Sequence, residues 1–539
     1  MIFFGFYFRR STPVATAKKV QINVGYRRSV SVAAGVDRLK IKINRKIKLI
    51  GVARATARNS SKNNMKNIII TVVITTLLCA TVLFFWLNYS STVQVTYSGY
   101  TEPETAKNDS SLTPVKIGEF FECFAPDATN SVAESRTFEN WPNFRGSDHS
   151  NIYTKKIIFD DSKELKPLWT IPLGEGHAAA AVYNGQVFVL DYLEDIEADA
   201  IRCFDLQTGK EIWRRWTKMK IKRNHGKSRT IPAVDEDVVL TMSPKCQVMC
   251  VKRTNGEMLW GIDLPTKYGT DIPMWYTGQC PLIDNNQAII AIGTDDTLVA
   301  AFDTITGKEL WSVPNPYKIK MSHSSIVPMT IMGKRCYVYA GIGGITAISA
   351  EDSDLGSTLW NLRDWVPNVI APTPIQLTDD SMFFTAGYGA GSAIVTIKKK
   401  GNKYIAELED AYSPKDGIAL EQQSPIKFKD YIIAILPKDA GTLRTQLVAS
   451  KVNSPKNIIF SSGKELTFGL GPFVVANDKI YALSDDGNLS IFDFNDNGFI
   501  EIKTQKILDG HDAWGPIAIA DGYLIARDSK NMTCIKLSQ

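Results

Sequence analysis

The chain has 539 residues, of which 44% are hydrophobic and 22% charged, enough to build a large folded domain and too apolar for a disordered polypeptide. Its net charge of +6 conceals an asymmetry: residues 1–66 hold 16 Lys and Arg against the single acidic Asp37, a net of +15, which leaves −9 on the remainder. An acidic remainder excludes a nucleic-acid-binding domain beyond the basic tail.

Residues 1–66 have two readings. The stretch VDRLKIKINRKIKLIGVARATAR (36–58) mixes charge with apolar residues, as a basic arm on anionic lipid or nucleic acid does, whereas MKN at 65–67 followed by an apolar run is how an exported bacterial protein starts. Next comes IIITVVITTLLCATVLFFWL (68–87), 20 uncharged residues, long enough at about 1.5 Å rise per residue to cross a hydrocarbon core of about 30 Å. No small-x-small cleavage site follows it, and Phe84, Phe85 and Trp86 stand where small residues would be needed, so the run is read as an uncleaved anchor spanning 67–88, with a cleaved signal as the alternative. The basic flank then stays in the cytoplasm and everything downstream lies on the periplasmic or extracytoplasmic side. Residues 89–139, rich in Ser, Thr, Asn and Glu, read as a flexible tether, with GEFFECF at 118–124 the one patterned stretch.

From residue 140 the chain becomes periodic. Trp169, Trp213, Trp260, Trp311 and Trp360 recur at intervals of 44, 47, 51 and 49 residues, about the length of one four-stranded propeller blade. Three of these tryptophans close a decorated turn: FDLQTGKEIW (204–213), VKRTNGEMLW (251–260) and FDTITGKELW (302–311). Asp205 and Asp303 can accept from turn N–H groups, Gly209, Gly256 and Gly307 supply the positive φ that closes the turn, and the Trp returns on the outer strand to cover a neighbouring turn. Between these marks lie short strands such as GQVFVLD (185–191), DVVLTM (237–242) and AIIAIG (288–293). Blades without the Trp follow at 382–409, 431–461 and 479–504, and the chain stops one strand short after GYLIA and MTCIKL (522–537). PLWTIPL (167–173) has the outer-strand signature yet precedes the first inner strand, so pairing it with the C-terminal segment closes an all-β ring of eight blades, seven being the alternative.

The D-x-x-T-G-K-x-x-W turns, together with NWPNFRGSDHSN at 140–151, resemble the PQQ-like propeller repeat family, whose members include quinoprotein alcohol dehydrogenases and the non-enzymatic lipoprotein of outer-membrane assembly. The resemblance covers roughly residues 140–539 and implies two functions from different classes. One is a membrane-anchored binding or scaffold module for a protein or envelope component, needing no cofactor. The other is a dehydrogenase holding PQQ and Ca²⁺ in the channel, for which Glu175, Asn224, Arg229 and Asp271 lie near suitable junctions. Many dehydrogenases of this family carry a vicinal disulfide, and no adjacent cysteine pair exists here.

Eight cysteines are present, and Cys203, Cys250 and Cys534 fall at equivalent third-strand sites of different blades, too far apart to pair, so they read as small buried hydrophobes. Cys246 and Cys250, four apart on one strand face, form neither a redox nor a zinc pattern. His177, His225, His323 and His511, four of only five histidines, sit just ahead of innermost strands, and Arg229, Gln279, Gln422 and Trp514 occupy comparable junctions. Those junctions converge on one mouth of a propeller channel, so these eight residues are the candidate ligand-binding ring, suited to an anionic or planar group or a peptide; solvated channel lining is the bland reading. No G-x-S-x-G, H-E-x-x-H, phosphate-loop or EF-hand pattern occurs, and no metal site is expected. Acidic residues near the mouth are Glu175, Asp271, Glu421 and Asp512, and no catalytic residue is assigned.

Overall fold

The computed structural model describes residues 66, 69–84, 116–125, 138–222 and 226–537. The chain divides into two compact units, Met1–Tyr97 and Ser98–Gln539.

In the first unit, residues 69–84 are helical with their side chains exposed. The hydroxyls of Thr75, Thr76 and Thr81 each donate to the carbonyl four residues back, at 2.8 Å, so the helix satisfies its own polar side chains. Among the described residues no helix is long and apolar enough to cross a membrane. Residue 68 and residues 85–87 of the apolar run lie outside the described residues, as do residues 1–65, where the basic arm was read.

The second unit is an eight-bladed β-propeller. Blade 1 comprises Ala181–Tyr183, Gln186–Leu193, Ala198–Asp205 and Glu211–Lys218, ordered from the channel outward. Blades 2 to 7 repeat that order, their innermost strands starting at Ala233, Leu282, Val327, Ile375, Ile426 and Phe473. Blade 8 takes its three inner strands, Ala518–Ala520, Tyr523–Arg527 and Asn531–Lys536, from the C-terminus and its outer strand, Pro167–Pro172, from the start of the domain. The register Trp169↔Cys534 and Ile171↔Met532 closes the ring where the sequence places the clasp, with eight blades and not seven.

The tryptophan turns work between blades. A Cβ on Gly209 would lie 2.6 Å from the Trp169 ring, one on Gly256 2.6 Å from Trp213, and one on Gly307 2.6 Å from Trp260. Each indole therefore covers the turn of the next blade, and positive φ at those glycines (68°, 69° and 68°) makes the fit possible. Trp169 and Trp260 also donate Nε1–H to backbone carbonyls of Leu206 and Thr304, both at 2.8 Å. Asp205 and Asp303 accept from the amide of Thr208 (2.8 Å) and Thr306 (2.7 Å), and the Thr306 hydroxyl, also donating at 2.7 Å, together with that amide holds the Asp303 carboxyl below its usual range. The core lies between blades: Trp260, Leu240 and Val248 of blade 2 pack with Ile290, Ala300 and Phe302 of blade 3, for example. All eight cysteines are free, Cys203, Cys250 and Cys534 among the buried ones. Cys246 is not on the strand with Cys250; it occupies the preceding turn at φ 62°, and its strand begins at Gln247.

Two segments ahead of the clasp join the propeller. Residues 120–123, inside the stretch read as a tether, form a fifth strand on the outer edge of blade 1. Residues 138–157 run across one end of the channel. Trp141 pairs with Val182 of blade 1, Pro142 O accepts from Val234 N of blade 2 at 2.8 Å, and Arg145 Nη2 reaches Pro425 O at the entry to blade 6 at 2.9 Å. Asn151 Nδ2 donates to Phe473 O at 2.6 Å, and Ile152–Tyr153 then pair in parallel with the inner strand of blade 7. Blades 2 and 6 face each other across an eight-membered ring, so this NWPNFRGSDHSN segment spans the channel as a plug.

Candidate functional site at the channel mouth

At the end opposite the plug, the loops entering the innermost strands and those joining the second and third strands surround a cavity of about 430 Å³. Phe144, on the plug, contributes to its lining. His177, Arg229, His323, Gln422 and Trp514 all line it, as their junction positions predict.

Three residues of the candidate ring need separate placement. Gln279 is fully buried and spends its amide on one inner strand, accepting from Ala291 N at 2.7 Å and donating to Ala291 O at 3.2 Å. Side chains alternate along an extended segment, so the next residue, Cys280, faces the cavity in its place. His511 points to solvent, 72% exposed, its Nδ1 2.9 Å from Asp512 Oδ2, while Trp514 three residues later lines the mouth. His225 lies outside the described residues, as does Asn224.

Aromatic rings carry the walls. Trp275 stacks on Tyr388 (5.6 Å between centroids, 18° between planes) and lies 6.2 Å from His323. His177 packs 4.8 Å from Trp514, whose Nε1–H donates to Asp485 Oδ1 at 2.7 Å. Arg229 donates to the carbonyls of Trp275 and Gly226, and burial lowers its pKa to about 10, which leaves it a cation at neutral pH. Burial, with Arg229 nearby, holds His323 neutral by lowering its pKa to about 4. Glu421, 7% exposed, is the one carboxylate among the lining residues, and desolvation raises its pKa.

The wall residues absent from the sequence-derived ring had faint signals. Trp275 sits in IPMWYTG (272–278) between blades 2 and 3, and Tyr388 in the glycine loop TAGYGAGSA (385–393), which makes a tight strand connection with φ 57° at Tyr388.

The site is thus a one-ended aromatic pocket in an eight-bladed propeller with PQQ-like repeats. Residues 197–363, from the third strand of blade 1 to the end of blade 4, match the family described as outer membrane protein assembly factor BamB. No curated protein matches the chain. Among solved structures, a europium-containing methanol dehydrogenase shares the fold at 10% identity, covering 75% of this chain and 92% of its own, with a TM-score of 0.51. BamB from Moraxella catarrhalis (11% identity, 69% and 98% coverage, TM-score 0.46) and the quinohemoprotein alcohol dehydrogenase from Comamonas testosteroni (11%, 77% and 83%, 0.48) are also similar. Identities this low establish the fold alone.

Proposed function

We propose that this protein is a membrane-anchored, extracytoplasmic binding propeller whose channel mouth captures a segment of a partner protein or envelope component. The observation that carries this reading is the character of the pocket: stacked Trp275 and Tyr388, Trp514 against His177, and the half-buried cation Arg229 around a plugged cavity of about 430 Å³. A concave aromatic site lined by Arg229 and Lys438, with Glu421 the one carboxylate, suits an anchor side chain and its neighbouring acidic group. The rim adds exposed Ile272 and Met274 on the loop that carries Trp275, beside exposed Tyr388, an apolar surface of the kind a protein partner covers. The assembly-factor family matched by residues 197–363 supports a protein partner. The self-satisfied threonines of helix 69–84 support the anchor, since a bilayer offers polar groups no other partner.

The alternative, a PQQ- and Ca²⁺-dependent dehydrogenase, finds a poor donor set. Ca²⁺ takes six to eight oxygen ligands. Glu421 is the lone lining carboxylate, and Asp271 is 77% exposed and paired with Lys320 Nζ at 2.9 Å. Among the described residues no group of three or more His, Cys, Asp or Glu could hold a metal ion.

Photo-crosslinking in cells separates the two. A photoreactive residue at Tyr388 or Trp514 of the full chain should capture one discrete protein or polymer, and one at Lys308 on the opposite face should not. Equal capture from both faces sinks the mouth as the binding site. Saturable PQQ binding in Ca²⁺ buffer, with alcohol oxidation abolished by Arg229→Ala, would replace the binding reading with the dehydrogenase.

A further inference from the structure

The plug covers its end of the channel unevenly. Its bonds run to blades 1, 2, 6 and 7, and over the inner strands of blades 4, 5 and 6 a second cavity, of about 480 Å³, opens against it. Three cations line this cavity: Arg145 from the plug, Arg335 from the second strand of blade 4 and Lys427 from the inner strand of blade 6. The one carboxylate in the lining, Asp148, already accepts from the amide and the hydroxyl of Ser150, at 3.0 and 2.6 Å. Buried Val327, Met329 and Ile375 form the apolar part of the wall.

Arg145 is only 4% exposed, and burial lowers its pKa no further than about 10, so it is charged at neutral pH. Its bonds go to carbonyls alone, from Nε to His149 and from Nη2 to Ser150 and Pro425, while Nη1 is buried without a hydrogen-bond partner. Lys427 also meets a carbonyl and no carboxylate: its Nζ donates to Leu377 O at 2.6 Å, using one of the three donors an ammonium carries. Among the described residues, Arg335 alone of the three has a counter-charge, Asp284 Oδ2 at 2.6 Å, and the Tyr337 hydroxyl shares that carboxylate. A guanidinium buried without a counter-charge destabilises a fold, and an anion in the adjoining cavity offsets that cost.

We propose that this cavity is a second ligand site, for a small molecule whose carboxylate or phosphate group seats among Arg145, Arg335 and Lys427 while its body rests on Val327, Met329 and Ile375. Guanidinium groups match the oxygens of such anions with parallel hydrogen bonds, and Lys427 adds a point charge on a flexible stem. The volume falls in the range of small-molecule pockets. No Trp, Tyr or Phe lines it, so its ligand is chosen by charge, where the aromatic mouth chooses by stacking. The two sites lie at opposite ends of the channel, and neither reading depends on the other.

The test is equilibrium dialysis of the full chain, in nonionic detergent at low salt and neutral pH, against radiolabelled phosphate or citrate. One saturable site is expected, with citrate favoured if the natural group is a carboxylate and inorganic phosphate favoured if it is a phosphoryl group. Lys427→Gln and Arg335→Gln should each weaken binding at least fivefold, and Lys308→Gln, at an exposed lysine outside the lining, should not change it. Asp148→Asn removes the lining carboxylate and should tighten binding at least threefold, a gain that misfolding cannot imitate. Absence of saturable binding of either probe overturns the proposal, as does equal affinity in wild type, Lys427→Gln and Asp148→Asn. So does binding that survives Lys427→Gln and Arg335→Gln together but is lost in Arg229→Gln, because the anion would then sit at the channel mouth.

Discussion

The two ends of the channel are built from the same eight inner strands and could hardly differ more. At the plugged end, Arg145 is buried and donates through Nε and Nη2 to the carbonyls of His149, Ser150 and Pro425, holding chain to chain, while its Nη1 is buried without a hydrogen-bond partner. At the open end, Arg229 holds two loop carbonyls as well, yet it lines a cavity walled by aromatic rings. A buried cation is therefore not by itself a binding site in this fold. What separates the ends is the wall: the cavity of about 480 Å³ that Arg145 lines is bounded by Asp148, Arg335 and Lys427 with no Trp, Tyr or Phe, whereas stacked rings wall the cavity that Arg229 lines.

That contrast can be broken by mutation. The largest loss belongs to neither end but to the frame that supports both: Trp260→Ala should cost about 3–5 kcal/mol in urea unfolding, as loss of a buried indole between blades does. A loss no larger than that of a surface substitution would show that the blades do not rely on the indole dock. Arg145→Met comes next, at about 3 kcal/mol, because three carbonyls lose their donor. It should also expose residues 138–157 to limited proteolysis while leaving the mouth residues uncut.

Acid sharpens the comparison, since one perturbed histidine sits at each end. His149, at the plug, and His323, at the mouth, are held neutral with pKa values of about 4, both chiefly by burial. The unfolded chain takes up these protons first, near the ordinary pKa of 6.5, so the contribution of the two histidines to stability should be level above that pH and fall as pH drops from 6.5 toward 4. Melting temperatures across that range should lose roughly half of this histidine-dependent slope in His149→Gln and the other half in His323→Gln. The smallest effect on stability is expected for Trp275→Ala, below about 0.5 kcal/mol because its ring stands at the cavity wall. The same change should remove ligand capture at the mouth. A Trp275→Ala protein that binds normally would mean the stacked wall is packing alone.

Much of the frame was legible in the sequence because its marks are local. Asp205, Gly209 and Trp213 lie within nine residues, and turn chemistry fixes what such a set does wherever it occurs. The clasp at 167–173 was readable for the opposite reason: a closed ring leaves no unpaired edge, so the missing last strand had to come from somewhere. The mouth was readable only in outline. Junction positions brought His177, Arg229, His323, Gln422 and Trp514 together, but the face a residue shows at a junction alternates with each step, and Gln279 fell on the wrong side of that alternation. Trp275 and Tyr388 reach the cavity from loops whose course is set by contacts between blades, which periodicity does not encode. The strand at 120–123 lay hidden in a polar stretch because its partners, Arg214 to Trp216, are some ninety residues away.

The clasp has a consequence in time as well as in space. Its outer strand, Pro167–Pro172, is made before every blade strand it must wait for, and its partner, Asn531–Lys536, is the last strand of the propeller in chain order. Until then the ring has no way to shut, and the first blade-forming strand waits with an open edge while the intervening blades emerge. Folding of this propeller is thus committed by the strand Asn531–Lys536, and its deletion should leave not a smaller propeller but an unlatched one.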